Sequence, residues 1–170
     1  MIRENINEVI KELMFKRKNA STEEEKALIN SELEVVKTIK NTFTKFDKED
    51  NALKLETYGC TELNDTVEEQ LLCELKKGYE KTIETFKKAN AQAYVDQNEL
   101  ELGFLTKYMP KPPTDEEIAE LTKAVIKTYE IEIKRKIEMR DMKTMLGIVQ
   151  QTYPSASGKT VSTVVKESMA

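Results

Sequence analysis

The chain has 170 residues, 39% hydrophobic and 34% charged, with five glycines, four prolines and a net charge of -4. That is apolar material for one ordinary domain or two small helical ones, and few glycines and prolines beside abundant Glu, Lys, Leu and Ile point to long helices rather than a β-rich fold. The absence of histidine excludes Ser-His-Asp and Cys-His catalysis and histidine-ligated metals, while two cysteines, Cys60 and Cys73, are too few for a disulfide scaffold or a metal cage.

From the N-terminus, Ile2, Ile6, Val9, Ile10 and Leu13 recur at the spacing of an amphipathic helix. Ser21, three residues before Glu24, reads as a capping box opening a second helix through Ile29, Leu33, Val36, Ile39, Phe43 and Phe46. DKEDNALKLETYGCTELND, residues 47–65, has turn formers at both ends and little periodicity, and reads as a loop. A third helix starts near Asp65, buries Val67, Leu71, Leu75, Tyr79, Ile83 and Phe86, and ends by Asn90. A fourth carries Val95, Leu102, Leu105 and Met109 and must stop before Pro110. Gly103 inside it costs about 1 kcal/mol relative to alanine unless close packing needs it.

YMPKPPTDEEI is the clearest boundary. Pro110, Pro112 and Pro113 cannot continue a helix, and Thr114 with Glu117 forms a new capping box. The expected organisation is a helical bundle over 1–109, a junction at 110–113 and a helical domain over 114–170. The fifth helix carries Ile118, Leu121, Val125 and Tyr129. Its stripe extends to Ile133 and Ile137, which allows it to run into the basic stretch; the alternation of Tyr129, Ile131 and Ile133 allows a short irregular piece instead. Asp141 is a candidate cap for a sixth helix holding Met142, Met145, Leu146 and Val149, and a last helix begins near Gly158 with Val161, Val164 and Val165. The fold class is all-α. No apolar run approaches the roughly 18 residues that span a bilayer, and no signal-peptide core is present, so the expectation is a soluble cytoplasmic protein without membrane partners.

Gly158-Lys159-Thr160 looks like the end of a P-loop, but Tyr153 stands where the earlier glycine belongs and the preceding residues read as a helix. The residues read better as a helix start, with Ser157 as cap, Gly158 relieving strain and Lys159 on the first turn. Contact of Lys159 with a nucleic-acid phosphate is the second reading. The glutamates 23–25 and Asp115, Glu116 and Glu117 occupy first turns, where negative charge suits the helix dipole. Cys73 reads as core and Cys60 as exposed, with no base beside either.

Charge is uneven. Residues 111–170 hold ten Lys/Arg against nine Asp/Glu, leaving 17 against 22 for residues 1–110. IKRKIEMRDMK gathers Lys134, Arg135, Lys136, Arg140 and Lys143 against Glu138 and Asp141. A solvated helix face and a contact for RNA phosphates are both open there. No aromatic platform interleaves, so base reading is not expected.

YMPKPPTDEEI resembles the junction of the GatB/YqeY family. DMKTMLGIVQQTYPSASGKTVSTVVKE is similar to that family's last two helices, and EEQLLCELKKGYEKTIETFKKANAQAYVDQNELELGFLTKYMP to those before them. The resemblance covers residues 65–170 well and the first 60 loosely. Lys143 replaces a usual glycine, Pro112 and Pro113 replace a polar-apolar pair, the Glu130–Met139 segment is longer, and residues 20–62 depart. The resemblance implies an N-terminal helical bundle and a small three-helix domain like the tail of the B subunit of glutamine-dependent tRNA amidotransferase. That implies a tRNA-handling module associated with carbon-nitrogen ligase activity (glutamine as amido-N-donor) but lacking its catalytic domain, with tRNA or a tRNA-bound enzyme as partner. No catalytic residue, cofactor or metal is assigned. The candidate RNA contacts are Lys134, Arg135, Arg140, Lys143, Lys159 and Lys166. A protein-interaction adaptor working through its acidic N-terminal bundle is the alternative.

Overall fold

The computed structural model describes residues 2–169. Among them lie eight α-helices, one short 3-10 turn and no strand. The chain divides between Pro110 and Lys111 into two compact units, each with its own core.

The first unit holds α1 (Ile2–Asn19), α2 (Glu23–Lys48), α3 (Asn51–Tyr58), α4 (Asp65–Lys88) and α5 (Gln92–Tyr108). Leu33, Val36, Ile39 and Phe43 of α2 meet Ile6 and Leu13 of α1, Leu71 and Leu72 of α4, and Leu105 of α5 in one core. The capping box of α2 is Thr22 with Glu25, one residue later than expected. STEEE offers both registers, and Thr22 takes the extended backbone, its hydroxyl accepting from Glu25 N at 3.1 Å.

The expected loop at 47–65 contains α3. Asp50 caps it by accepting from Ala52 N at 2.9 Å, and Gly59 closes it in the left-handed region at φ 72°. Its polarity is inverted relative to an ordinary amphipathic helix, which hid it: Leu53 and Leu55 are exposed, while Lys54 is buried. The Lys54 ammonium lies 5.0 Å from the Phe46 ring centre and donates to Asp47 O at 3.1 Å, and Tyr58 packs edge-on against the same ring. Cys60 is half-buried rather than exposed, its thiol donating to Glu62 O at 3.3 Å.

Glu32 sits buried among apolar neighbours of α2 because the end of α5 reaches it. Lys107 Nζ and Tyr108 Oη both donate to its Oε1 at 2.6 Å, holding its carboxyl below the usual range against the opposing effect of burial. Tyr108, the first residue of the boundary motif, is thus an anchor for the last turn of α5. A Cβ built on Gly103 would meet nothing within 4 Å, so no close approach requires that glycine.

The second unit holds α6 (Asp115–Ile133), the 3-10 turn Met139–Asp141, α7 (Met142–Thr152) and α8 (Gly158–Met169). Ile118, Ile126, Ile137, Met145, Val149, Val161, Val164 and Val165 form its core. Thr114 and Glu117 make the expected capping box. Thr160 Oγ1 donates to Asp115 Oδ1 at 2.6 Å, so the starts of α6 and α8 lie side by side.

Candidate nucleic-acid interface

The basic run is not the end of a long helix. α6 stops at Ile133 because Lys134 turns into the left-handed region at φ 53°. Glu130 then ties the returning chain, accepting from Ile137 N at 3.1 Å and from Lys136 Nζ at 3.0 Å. Ile137 drops into the core, so the stripe that suggested a longer helix is satisfied by a chain reversal.

Arg135 and Asp141 close this reversal. The guanidinium donates twice, Nη1 to Oδ2 at 2.8 Å and Nη2 to Oδ1 at 2.9 Å, and Nη1 also donates to Lys136 O. Asp141 Oδ2 accepts from Glu138 N at 2.8 Å as well. Those bonds, the guanidinium first, bring the Asp141 carboxyl down to about 2. Asp141 therefore serves the turn before α7 and makes no side-chain cap to α7, contrary to the expected cap.

Of the six candidate contacts, Lys134, Arg135, Arg140 and Lys143 come together around this reversal. Arg135 is half-buried and engaged by Asp141. Arg140 is exposed and pairs with Glu138 at 3.2 Å, an exposed pair of small energetic consequence. Lys134 and Lys143 are exposed, with no ion pair to a described residue in the structure. Lys159 stands at the other end of α7, whose 11 residues span roughly 16 Å, and Lys166 lies two turns further along α8. The residue after Lys159 bonds to Asp115, so the start of α8 neighbours the acidic start of α6.

α7 ends at Thr152, just before the turn at 153–157 that leads into Gly158, so a helix and not a strand feeds this stretch. Gly158 has no positive φ, and a Cβ on it would meet Leu146 at an ordinary 3.7 Å, so the expected strain relief is not required. Burial pushes the Cys73 thiol up, which suits a core residue and not a nucleophile. Among the described residues no cluster of His, Cys, Asp or Glu could hold a metal, and no helix is long and apolar enough to cross a membrane. The Arg135–Asp141 clamp escaped sequence reading because its partners are six residues apart, a spacing that faces nothing on a helix and meets only through the reversal.

The family model described as Yqey-like protein matches residues 3–169. The chain belongs to the YqeY-like family. The match takes in the first 60 residues, where the motif resemblance was loose, so the departures at 20–62 leave membership intact. No curated protein matches this YqeY-like chain.

Proposed function

We propose that this YqeY-like protein is a non-catalytic helical module whose second unit holds the phosphate backbone of a tRNA, alone or on a tRNA-bound enzyme. The observation that supports the reading is the grouping of the exposed cations Lys134, Arg140 and Lys143 on one chain reversal, braced by the Arg135–Asp141 pair. A braced turn has little backbone freedom left to lose when its lysines meet a polyanion, and A-form RNA offers its phosphates and shape rather than its base edges. The resemblance to the amidotransferase tail supplies the class of RNA and the association with carbon-nitrogen ligase chemistry.

The test is fluorescence anisotropy of labelled bulk tRNA against the purified protein at about 50 and 200 mM salt. Three phosphates neutralised imply affinity falling roughly 20- to 40-fold across that range. Charge reversal at Lys134 and Lys143 together should remove most of the slope. Absence of binding at the lower salt, or binding indifferent to salt, refutes the reading.

A second reading, a protein-interaction adaptor, is favoured by one observation. Phe15, near the end of α1, is 69% exposed and lines a shallow apolar groove with exposed Leu28 of α2. A purified partner whose binding survives RNase and fails with Phe15→Lys would carry it.

A further inference from the structure

The first unit has an open groove of about 380 Å³ between α2, α4 and α5. Its floor is apolar: Leu71, Leu75, the ring of Tyr79 and the bare backbone of Gly78. Nothing lies within 4 Å of a Cβ built on Gly78. A glycine in the middle of a 24-residue helix is destabilising relative to alanine, and no neighbouring chain approaches closely enough to require it. Its consequence is that the groove stays open.

The polar lining is lopsided. Thr38, Thr42 and Thr82 each donate the hydroxyl hydrogen to a carbonyl of their own helix, Glu34 O, Thr38 O and Gly78 O, at 2.9, 3.0 and 2.9 Å. Asn98 Nδ2 donates to Tyr94 O at 2.8 Å, and Tyr79 is held by the Glu101 carboxylate. The donors are thus spent, apart from the second N–H of Asn98, and acceptor oxygens are left facing the groove. Glu74 is the one charged residue in the lining, and no Lys or Arg lines it; its carboxylate accepts from the Tyr58 hydroxyl, which leaves its remaining lone pairs for a further donor.

We infer that this groove binds a small aliphatic amine, its ammonium group on the Glu74 carboxylate and the threonine oxygens and its methylene chain along Leu71, Leu75 and Gly78. An ammonium offers three donors and no acceptor, which matches a lining with acceptors to spare, and a flexible methylene chain suits a shallow apolar floor. An anion would meet Glu74 with almost no donor to compensate, and a neutral alcohol would lose the charge-assisted bond. The inference concerns the first unit and does not depend on RNA binding by the second.

The test is an amide NMR titration of the nucleic-acid-free full chain with 1,5-diaminopentane and, separately, spermidine, at constant ionic strength. Saturable shifts centred on Thr38, Thr42, Gly78 and Thr82 are expected, with none from 1-pentanol. Glu74→Gln should weaken binding about tenfold or more, the loss of one charge-assisted contact. Gly78→Leu, a change towards a better helix former, should keep the fold and abolish the shifts by filling the groove. Shifts that are absent, scattered or equally strong in E74Q would overturn the assignment. So would binding by a lysine-containing peptide with none by the free amines, which would make the groove a protein-docking site.

Discussion

Met145 is fully buried in the core of the second unit, at 0% exposure, and Met145→Ala tests both the division of the chain and the location of RNA binding. Truncating a buried methionine to alanine costs about 2–5 kcal/mol, part lost transfer energy and part residual cavity. The second unit spans 60 residues, 111 to 170. At roughly 0.05–0.15 kcal/mol per residue its whole stability is about 3–9 kcal/mol, so one substitution removes a large share of it. Hydrogen exchange followed by mass spectrometry is the assay. In M145A the amides of α6, α7 and α8 should lose protection while those of α2 and α4 keep theirs, and tRNA affinity at low salt should fall with the second unit. Leu72→Ala, at an equally buried position in the first core, should do the converse. Equal loss of protection in both units would refute the independence of the two cores. Undiminished tRNA binding by a chain whose second unit has lost protection would refute the site.

Three further predictions concern Asp141, Glu68 and Gly103. Asp141 has its carboxyl lowered from 3.8 to about 2, so its stabilising contribution is present above the unfolded value and is lost as pH falls through the folded one; acid unfolding of the second unit between about pH 4 and 2, followed by the amide NMR signals of α6, α7 and α8, should flatten in Asp141→Asn. Burial pushes the Glu68 carboxyl up from 4.5, against the backbone N–H of Arg3 and its guanidinium, which favour the charged form, and leaves Oε2 without a hydrogen bond. Its contribution is therefore full below the unfolded value and lost as pH rises through the folded one, and urea titrations should show Glu68→Gln gaining on the parent chain as pH is raised from about 4 to 7. Gly103→Ala, with open space where its Cβ would go, should stabilise the first unit by about 1 kcal/mol in urea unfolding.

The long helices were legible from their apolar stripes: α1, α4 and α5 follow the spacing of their buried residues, and α6 adds an agreeing cap, Thr114 with Glu117, where expected. α3 was not legible, because its apolar residues face outward and the residue it buries is a lysine satisfied by an aromatic ring and a carbonyl. The end of α6 was ambiguous for a related reason. A left-handed lysine, rather than a glycine, turns the chain, and the turn is held by Glu130 from within the helix. The groove in the first unit draws its lining from three helices spread over residues 38 to 98, so no local spacing in the sequence could announce it. Gly78 was its one local mark, and a single glycine in a helix has too many causes to be read alone.

Charge counting describes the second unit poorly, because the net of +1 hides a separation. At one end, Asp115, Glu116 and Glu117 open α6 beside the start of α8. At the other, Lys134, Arg140 and Lys143 surround the reversal, while the cation of Arg135 is largely neutralised within it by Asp141. A polyanion approaching Lys159 meets the acidic first turn of α6, whose Asp115 accepts from the neighbouring Thr160, and charges act over about 8 Å at physiological salt; one approaching Lys143 meets Glu138 beside Asp141 and Glu130, which are already paired with Arg135 and Lys136. On the proposed reading the two lysines are therefore unequal although the sequence treats them alike. Lys143→Glu should weaken tRNA binding and lower its salt dependence by about one phosphate, whereas Lys159→Glu should change both far less. The reverse ranking would place the RNA across the starts of α6 and α8, and would make the braced reversal a purely structural turn.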